Sequence, residues 1–247
     1  MAIQLYGGAT AAVFAPLESM SRPELIERRL TDAIVIGLLG DTQQLPGETE
    51  LAAMFGVSTV TIREALSGLR SRGLIQTRRG RGGGSFVHSP RDRTASLVRQ
   101  RLGCLSTAEI RDLGDHYSAI ARGAATLAAL RASAADVARL QRAARLVAQE
   151  TDSGARRRAE AQFHIEVAVT AQSPRLYKEE VAMQGEFGTL VWLTSDDDSH
   201  AALVEHCDQM VEAVAAGDDT RAGGLAVRRV AACTARIVEF RLAQEQP

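Results

Sequence analysis

The 247-residue chain is poor in aromatics, at 4%, and holds only three cysteines. Cys104, Cys207 and Cys233 are odd in number and far apart, and no CxxC pair occurs. That excludes a disulfide framework and a zinc-finger cage. It points to a reducing cytoplasm, with the cysteines as small core residues. No stretch approaches the roughly 18 unbroken apolar residues of a membrane span, so no membrane partner is expected. The opening "MAIQLYGGATAAVFAPL" has no basic leader. We read residues 1–20 as an N-terminal arm and not as a secretory signal. The glycine run "GRGGG" lacks the GK[ST] of a phosphate loop and follows no strand-to-helix turn, so nucleotide binding is not expected.

What is present is a substantial apolar fraction, 45%, rich in alanine and leucine, which favours helix. Net charge is −1. Its distribution is uneven, however: residues 63–91 carry seven arginines against one acid, Glu64. Positive charge gathered in one segment suits a docking surface for nucleic acid.

That segment belongs to a recognisable local pattern. "SRPELIERRLTDAIVIGLLG" predicts a first helix capped by Ser21, with Pro23 in its first turn. Leu25, Ile26, Leu30, Ala33 and Ile34 are spaced to line its apolar face, and Gly37 and Gly40 mark its end. Pro46–Gly47 is a turn, Glu48 and Glu50 favour a helix start, and Gly56 stops that helix. Val57 reads as a buried hinge. Ser58 caps a third helix whose Ile62, Ala65, Leu66 and Leu69 form one stripe, with Gly73 as its stop. "LIQTRR" and "SFVH" read as two strands around the glycine turn. Three helices and a hairpin make a winged helix-turn-helix over residues 21–88.

Beyond it strand signals vanish. Helices are expected near 93–103, 106–131, 133–150, 155–172, 175–194, 199–216 and 219–243. Residues 89–96 read as a linker, and 97–247 as an all-α antiparallel bundle, giving a mainly α protein of two domains. "SDDDSH" (195–200) reads as a solvated loop with an N-cap, and Phe187 and Trp192 as bundle core.

DNA's major groove admits one helix, whose first residues meet base edges. Ser58, Thr59 and Thr61 offer hydroxyls and methyls there, and Arg63 stands one turn on. Arg79 and Gly80 form the wing tip. "LPGETELAAMFGVSTVTIREALSGLRSRGLI" followed by "GRGGGSFV" closely resembles the DNA-binding domain of the GntR family of bacterial transcription regulators. "AEAQFHIEVAVTAQSPRLY" and "EHCDQMVEAVAAGDDTRAGGLAVRR" are similar to the FCD ligand-binding domain that marks its FadR subfamily. The resemblance implies a homodimer on a palindromic operator, with DNA contacts from Thr49, Ser58, Thr59, Thr61, Arg63, Arg79 and Gly80. Relatives often carry arginine where this chain has Thr49 and Thr59, which implies fewer phosphate contacts; Arg70, Arg78 and Arg81 are candidates to compensate.

The same resemblance implies a pocket in the bundle that, in many relatives, holds a divalent metal on one Asp and three His. Here Glu160 and His164 stand four apart on one helix. His206 or Cys207 comes next, and Arg228 or Arg229 stands where the last histidine is expected. Tyr117, beside His116, stands where relatives place a pocket arginine. Three readings stay open: a metal site for zinc, nickel or manganese on Glu160, His164 and His206; a metal-free pocket in which an arginine meets Glu160 or an anionic ligand; or a structural polar set. The expectation is a cytoplasmic regulator, a repressor, whose operator affinity is tuned by a small effector, an organic acid, on Tyr117, Glu160, His164, His206, Arg228 and Arg229. The alternatives are a regulator with a degenerate pocket and, remotely, a helical metallohydrolase; no catalytic residues are assigned.

Overall fold

A computed structural model describes residues 20–80, 82–88 and 91–244, and the side chains of all of these but 91–93. Residues 1–19 of the expected arm, Arg81 of the wing and residues 89–90 of the expected linker lie outside the described residues.

The head comprises α1 (Arg22–Val35), α2 (Glu48–Phe55), α3 (Thr59–Ser71), β1 (Ile75–Arg78) and β2 (Gly84–Val87). Ser21 and Glu24 form a reciprocal capping box at the start of α1. Ile26, Leu30 and Ile34 of α1 pack against Leu51, Ile62, Leu66 and Leu69. Leu25, expected on that face, is 44% exposed, because it falls about 100° off the stripe that Ile26 sets. Val57 is half-buried rather than buried, since it lies in the loop between α2 and α3. The strands pair antiparallel from Ile75 opposite Val87 to Arg78 opposite Gly84, and Gln44 bridges Phe86 on the far edge of β2.

The bundle comprises α4 (Arg91–Gly103), α5 (Thr107–Arg131), α6 (Ala134–Gln149), α7 (Ser153–Thr170), α8 (Pro174–Met183), α9 (Thr189–Leu193), α10 (Asp197–Ala215) and α11 (Asp219–Ala243). Local caps start most of them: Ser106 with Glu109, Ser133 with Asp136, Asp152, Ser173, Asp196 with Ser199, and Asp218. The expected helix 175–194 is interrupted. Gln184–Gly188 forms one turn of the wider π-type helix between α8 and α9. Of the cysteines, Cys207 and Cys233 are core residues as expected, but Cys104 is exposed, lying past the end of α4. Trp192 is only partly buried, with the Arg157 guanidinium 4.5 Å over its ring, whereas Phe187 is core.

Two large apolar clusters fill most of the bundle, beside a small one of Ala124, Ala168 and Ala171. One centres on Phe163, Leu140 and Leu203; the other on Ile110, Phe187, Leu190 and Ile237. The long helices α5 and α11 run through both. They approach closely where Gly114 faces Thr234, whose side chain occupies the space a β-carbon would need. Gly114→Val is therefore expected to force α5 and α11 apart, at a cost of about 1–3 kcal/mol. Thermal denaturation followed by circular dichroism reads this out, and an unchanged Tm would contradict the close approach.

Candidate functional site

Two regions gather the residues singled out from sequence. In the head, Gly56 in the left-handed conformation (φ 65°) turns the chain from α2 into α3. Ser58 caps α3 by accepting from the Thr61 amide at 3.2 Å, and its hydroxyl lies 3.0 Å from that of Thr61. Ser58, Thr49 and Arg63 are exposed, and Thr59 and Thr61 are half-buried. Arg63 donates through Nε to Glu48 at 2.6 Å, so α2 fixes the direction of the α3 arginine. Sequence reading missed Val60, which stands 66% exposed among these polar groups, where it could meet a thymine methyl. Helical periodicity gave the signal, because Val60 lies off the buried stripe.

On the wing, Arg79 and Gly80 are exposed at the tip, and Gly80 takes φ 96° to make the turn. Arg78 is laid over the Phe86 ring at 4.5 Å, and Arg70 donates to the Thr77 hydroxyl at 3.3 Å. These two arginines thus brace the hairpin.

In the bundle, a cavity of about 40 Å³ lies where the two apolar clusters meet. Tyr117 of α5, Glu160 and His164 of α7, His206 of α10 and Arg229 of α11 all line it. Arg229 donates to Glu160 at 2.7 Å, with both side chains mostly buried. The imidazoles of His164 and His206 lie 5.8 Å apart, centre to centre. Nε2 of His206 and Nε of Arg229 are buried without a hydrogen-bond partner. The register questions resolve by helix geometry: His206 faces the cavity while Cys207, 100° further round, enters the apolar core. Likewise Arg229 turns inward. Arg228 is exposed and does not line the cavity, which corrects its expected place in the pocket.

Sequence reading did not place Glu180 and Gln184 at the cavity, and took Phe187 only as core. The Tyr117 hydroxyl donates to Glu180 at 2.7 Å and accepts from Gln184 at 2.7 Å, while Gln184 also donates to Glu180 at 2.8 Å. Phe187 packs on Tyr117 with ring centres 5.2 Å apart. Glu180, Gln184 and Phe187 stand at i, i+4 and i+7, so they share one helical face and reach one wall. Outside, a cleft of about 220 Å³ lined by Arg156, Trp192 and His200 shares Glu160 and Arg229 with the cavity, so this ion pair divides the two spaces.

Residues 24–84 match the model of bacterial regulatory proteins of the gntR family, and residues 112–232 match that of the FCD domain. The HTH-type transcriptional regulator RmpR of Mycobacterium gastri is 38% identical over 243 residues, covering 95% of this chain and 88% of that protein. The chain belongs to the GntR family of bacterial regulators, with an FCD domain. The HTH-type transcriptional repressor NanR of Klebsiella aerogenes is 40% identical, over 65 residues only, 26% of this chain and 25% of that one. Among solved structures, E. coli McbR/YncC aligns with 91% of this chain and 96% of that chain at 18% identity and a TM-score of 0.48. As a GntR/FCD protein the chain is a DNA-binding transcription regulator with a C-terminal effector-binding domain.

The candidate metal ligands Glu160, His164 and His206 share this wall with a cation. Arg229 already holds the only carboxylate of the candidate ligand set and places a fixed positive charge beside both imidazoles. Among the described residues no group of three or more His, Cys, Asp or Glu is arranged to hold a metal ion.

Burial sets the protonation of this wall. Burial, with Arg229 adding to it, lowers His164 to about 3; burial, the neighbouring His164 and Arg229 do the same for His206, so both are neutral near pH 7. Burial raises Glu180 to about 7, against the hydrogen bonds from Gln184 and Tyr117. The two effects on stability have opposite sign. Below pH 6.5 the unfolded histidines take up protons that the folded ones refuse, so stability falls as pH falls toward 3. The unfolded Glu180 carboxyl loses its proton near 4.5 and the folded one near 7, so stability complete below 4.5 is lost as pH rises through 7. Glu180→Gln is expected to be more stable than wild type at pH 8, by on the order of 1–3 kcal/mol, and to converge with it near pH 4.5. Chemical denaturation across pH checks this; parallel wild-type and variant curves would contradict it.

Proposed function

We propose that this GntR/FCD protein is a cytoplasmic homodimer that represses transcription from a palindromic operator and loosens or tightens its grip when a small organic acid binds beside Arg229. Ser58, Thr59, Val60, Thr61 and Arg63 would read the major groove, Thr49 would stand against the backbone, and Arg79 and Gly80 would enter the flanking groove or grip its phosphates. The single observation that carries the effector reading is the Arg229 guanidinium in a mostly buried wall, held by Glu160 and flanked by the unpartnered Nε2 of His206. Arginine pairs with carboxylates in a fixed fork geometry, and a buried imidazole without a partner favours a ligand that supplies one. The cavity as it stands has room for a few waters, so an entering acid would exchange with Glu160 for Arg229 from the outer cleft. The fixed cation takes the place of a metal, and we read the protein as a non-enzyme. The one thiol lining this wall, Cys233, is kept protonated by burial, and the carboxylate a hydrolase would need is engaged by Arg229.

The small volume also favours a second reading, a regulator whose pocket has lost its effector. Titrating two- to six-carbon mono- and dicarboxylates into a complex with duplex DNA selected from a random pool separates the two. The first reading expects an acid that both binds and changes DNA affinity, with the response lost in Arg229→Gln; acids that bind without changing affinity would sink it. Zinc, nickel and manganese should leave the wild-type Tm unchanged, while Arg229→His, restoring a third imidazole beside Glu160, His164 and His206, should be stabilised by zinc. A zinc shift in wild type would reverse the metal-free reading. At the head, Thr59→Arg should raise duplex affinity and steepen the slope of log K against log salt by about 1, measured by fluorescence anisotropy. An unchanged slope would remove Thr59 from the phosphate-facing side.

A further inference from the structure

The cavity and the DNA-binding head share one short element. The π-type turn Gln184–Gly188 presents Gln184 and Phe187 to the cavity. Gln184 is tied there to Tyr117 and Glu180. The two residues between them face the head. Gly185 lies so close to α1 that a β-carbon on it would meet Cβ of Asp32 at 2.6 Å. Glu186 accepts from Arg28 of α1 at 2.6 Å and from Arg101 of α4 at 3.0 Å. Arg101 also donates to the Gly185 carbonyl at 3.2 Å and to Asp32 at 3.4 Å. One carboxylate therefore joins the first helix of the head, the first helix of the bundle and the wall of the cavity.

The geometry makes the turn a lever. Gln184 and Glu186 are two residues apart in the turn and point to opposite sides of it, one to the cavity and one to α1. A movement that draws Gln184 toward a new partner in the cavity swings Glu186 on the far side. The π-type turn carries one residue more than an α-helical turn, and such turns concentrate at functional sites because that register can be given up or moved locally. Other contacts cross the same boundary through residues that do not themselves line the cavity. Val35 of α1 enters the second apolar cluster of the bundle, and Gly37 packs against Arg158 of α7; neither Val35 nor Arg158 lines the cavity.

We propose that the Gln184–Gly188 turn couples the cavity to the DNA-binding head, with Glu186, gripped by Arg28 and Arg101, as its hold on α1. Movement of the Gln184 side chain is passed to α1 and so to the placement of α3 on DNA. The proposal rests on the cavity being the effector site, but its test does not. The test is a double-mutant cycle in the full-length protein with no acid added. Tyr117→Phe removes the hydroxyl that bonds Gln184 and Glu180, and Glu186→Gln weakens the hold on α1. The readouts are hydrogen exchange of the α1 amides and affinity for a duplex selected from a random pool by the wild-type protein. Tyr117→Phe alone is expected to change duplex affinity by about fivefold or more and to alter exchange in α1, and to do neither in the Glu186→Gln background. Independent, multiplicative effects of the two changes would overturn the proposal. So would unchanged α1 exchange in Tyr117→Phe. Gly185→Ala supplies a second route that leaves the cavity residues untouched: its methyl should press on Asp32 and speed exchange across α1, and unaltered exchange there would also overturn the proposal. If no carboxylate of the panel binds, the effector reading falls while the cycle still decides the coupling.

Discussion

The ion pair between Glu160 and Arg229 sets the terms for the bundle interior. It puts a full positive charge into a wall shared with two neutral imidazoles, the Tyr117–Glu180–Gln184 hydrogen-bonded group and apolar side chains. An isolated buried guanidinium would be prohibitively costly, and an isolated carboxylate equally so; together, with a hydrogen bond between them, each makes the other tolerable. The histidines answer to the same constraint. They are neutral because water is excluded from them and because Arg229 already supplies the cation. The inner cavity is small and the outer cleft open because this pair stands between them.

The head depends on a different economy, one of local signals. Ser21 with Glu24, Gly56 and Ser58 are short-range devices that start or stop helices regardless of what lies across the fold. The stripe Ile62, Ala65, Leu66 and Leu69 then has one face to bury. Everything needed to place α3 is written within a few residues of it. For that reason the winged helix-turn-helix was legible from sequence almost element by element, and Leu25 was misplaced only because two adjacent apolar residues compete for one stripe.

The pocket was legible in part. The four-residue spacing of Glu160 and His164 put both on one face of α7, as a straight helix must. Where the choice was between neighbours, His206 or Cys207 and Arg228 or Arg229, one residue is 100° of rotation, and only the packing of α10 and α11 could decide it. Glu180, Gln184 and Phe187 were hidden for another reason. They stand at i, i+4 and i+7, one face of a helix, but that spacing alone does not say whether the face meets core, cavity or solvent. The linker posed a related difficulty: helix α4 already begins at Arg91, because "RDRTAS" is polar enough to read as a connection and yet helical in place.

The hold of Glu186 on Arg28 and Arg101 has a bearing on how salt titrations of such a protein are read. All three side chains are partly open to solvent, at 31%, 41% and 26% exposure, so added ions screen these pairs as well as the contacts between arginines and DNA phosphates. Ionic strength would then loosen the attachment of the head to the bundle in the same range in which it loosens the head from DNA. A slope of log K against log salt, taken as a count of phosphates, would include ions taken up by the protein itself, and the footprint inferred from it would be too large.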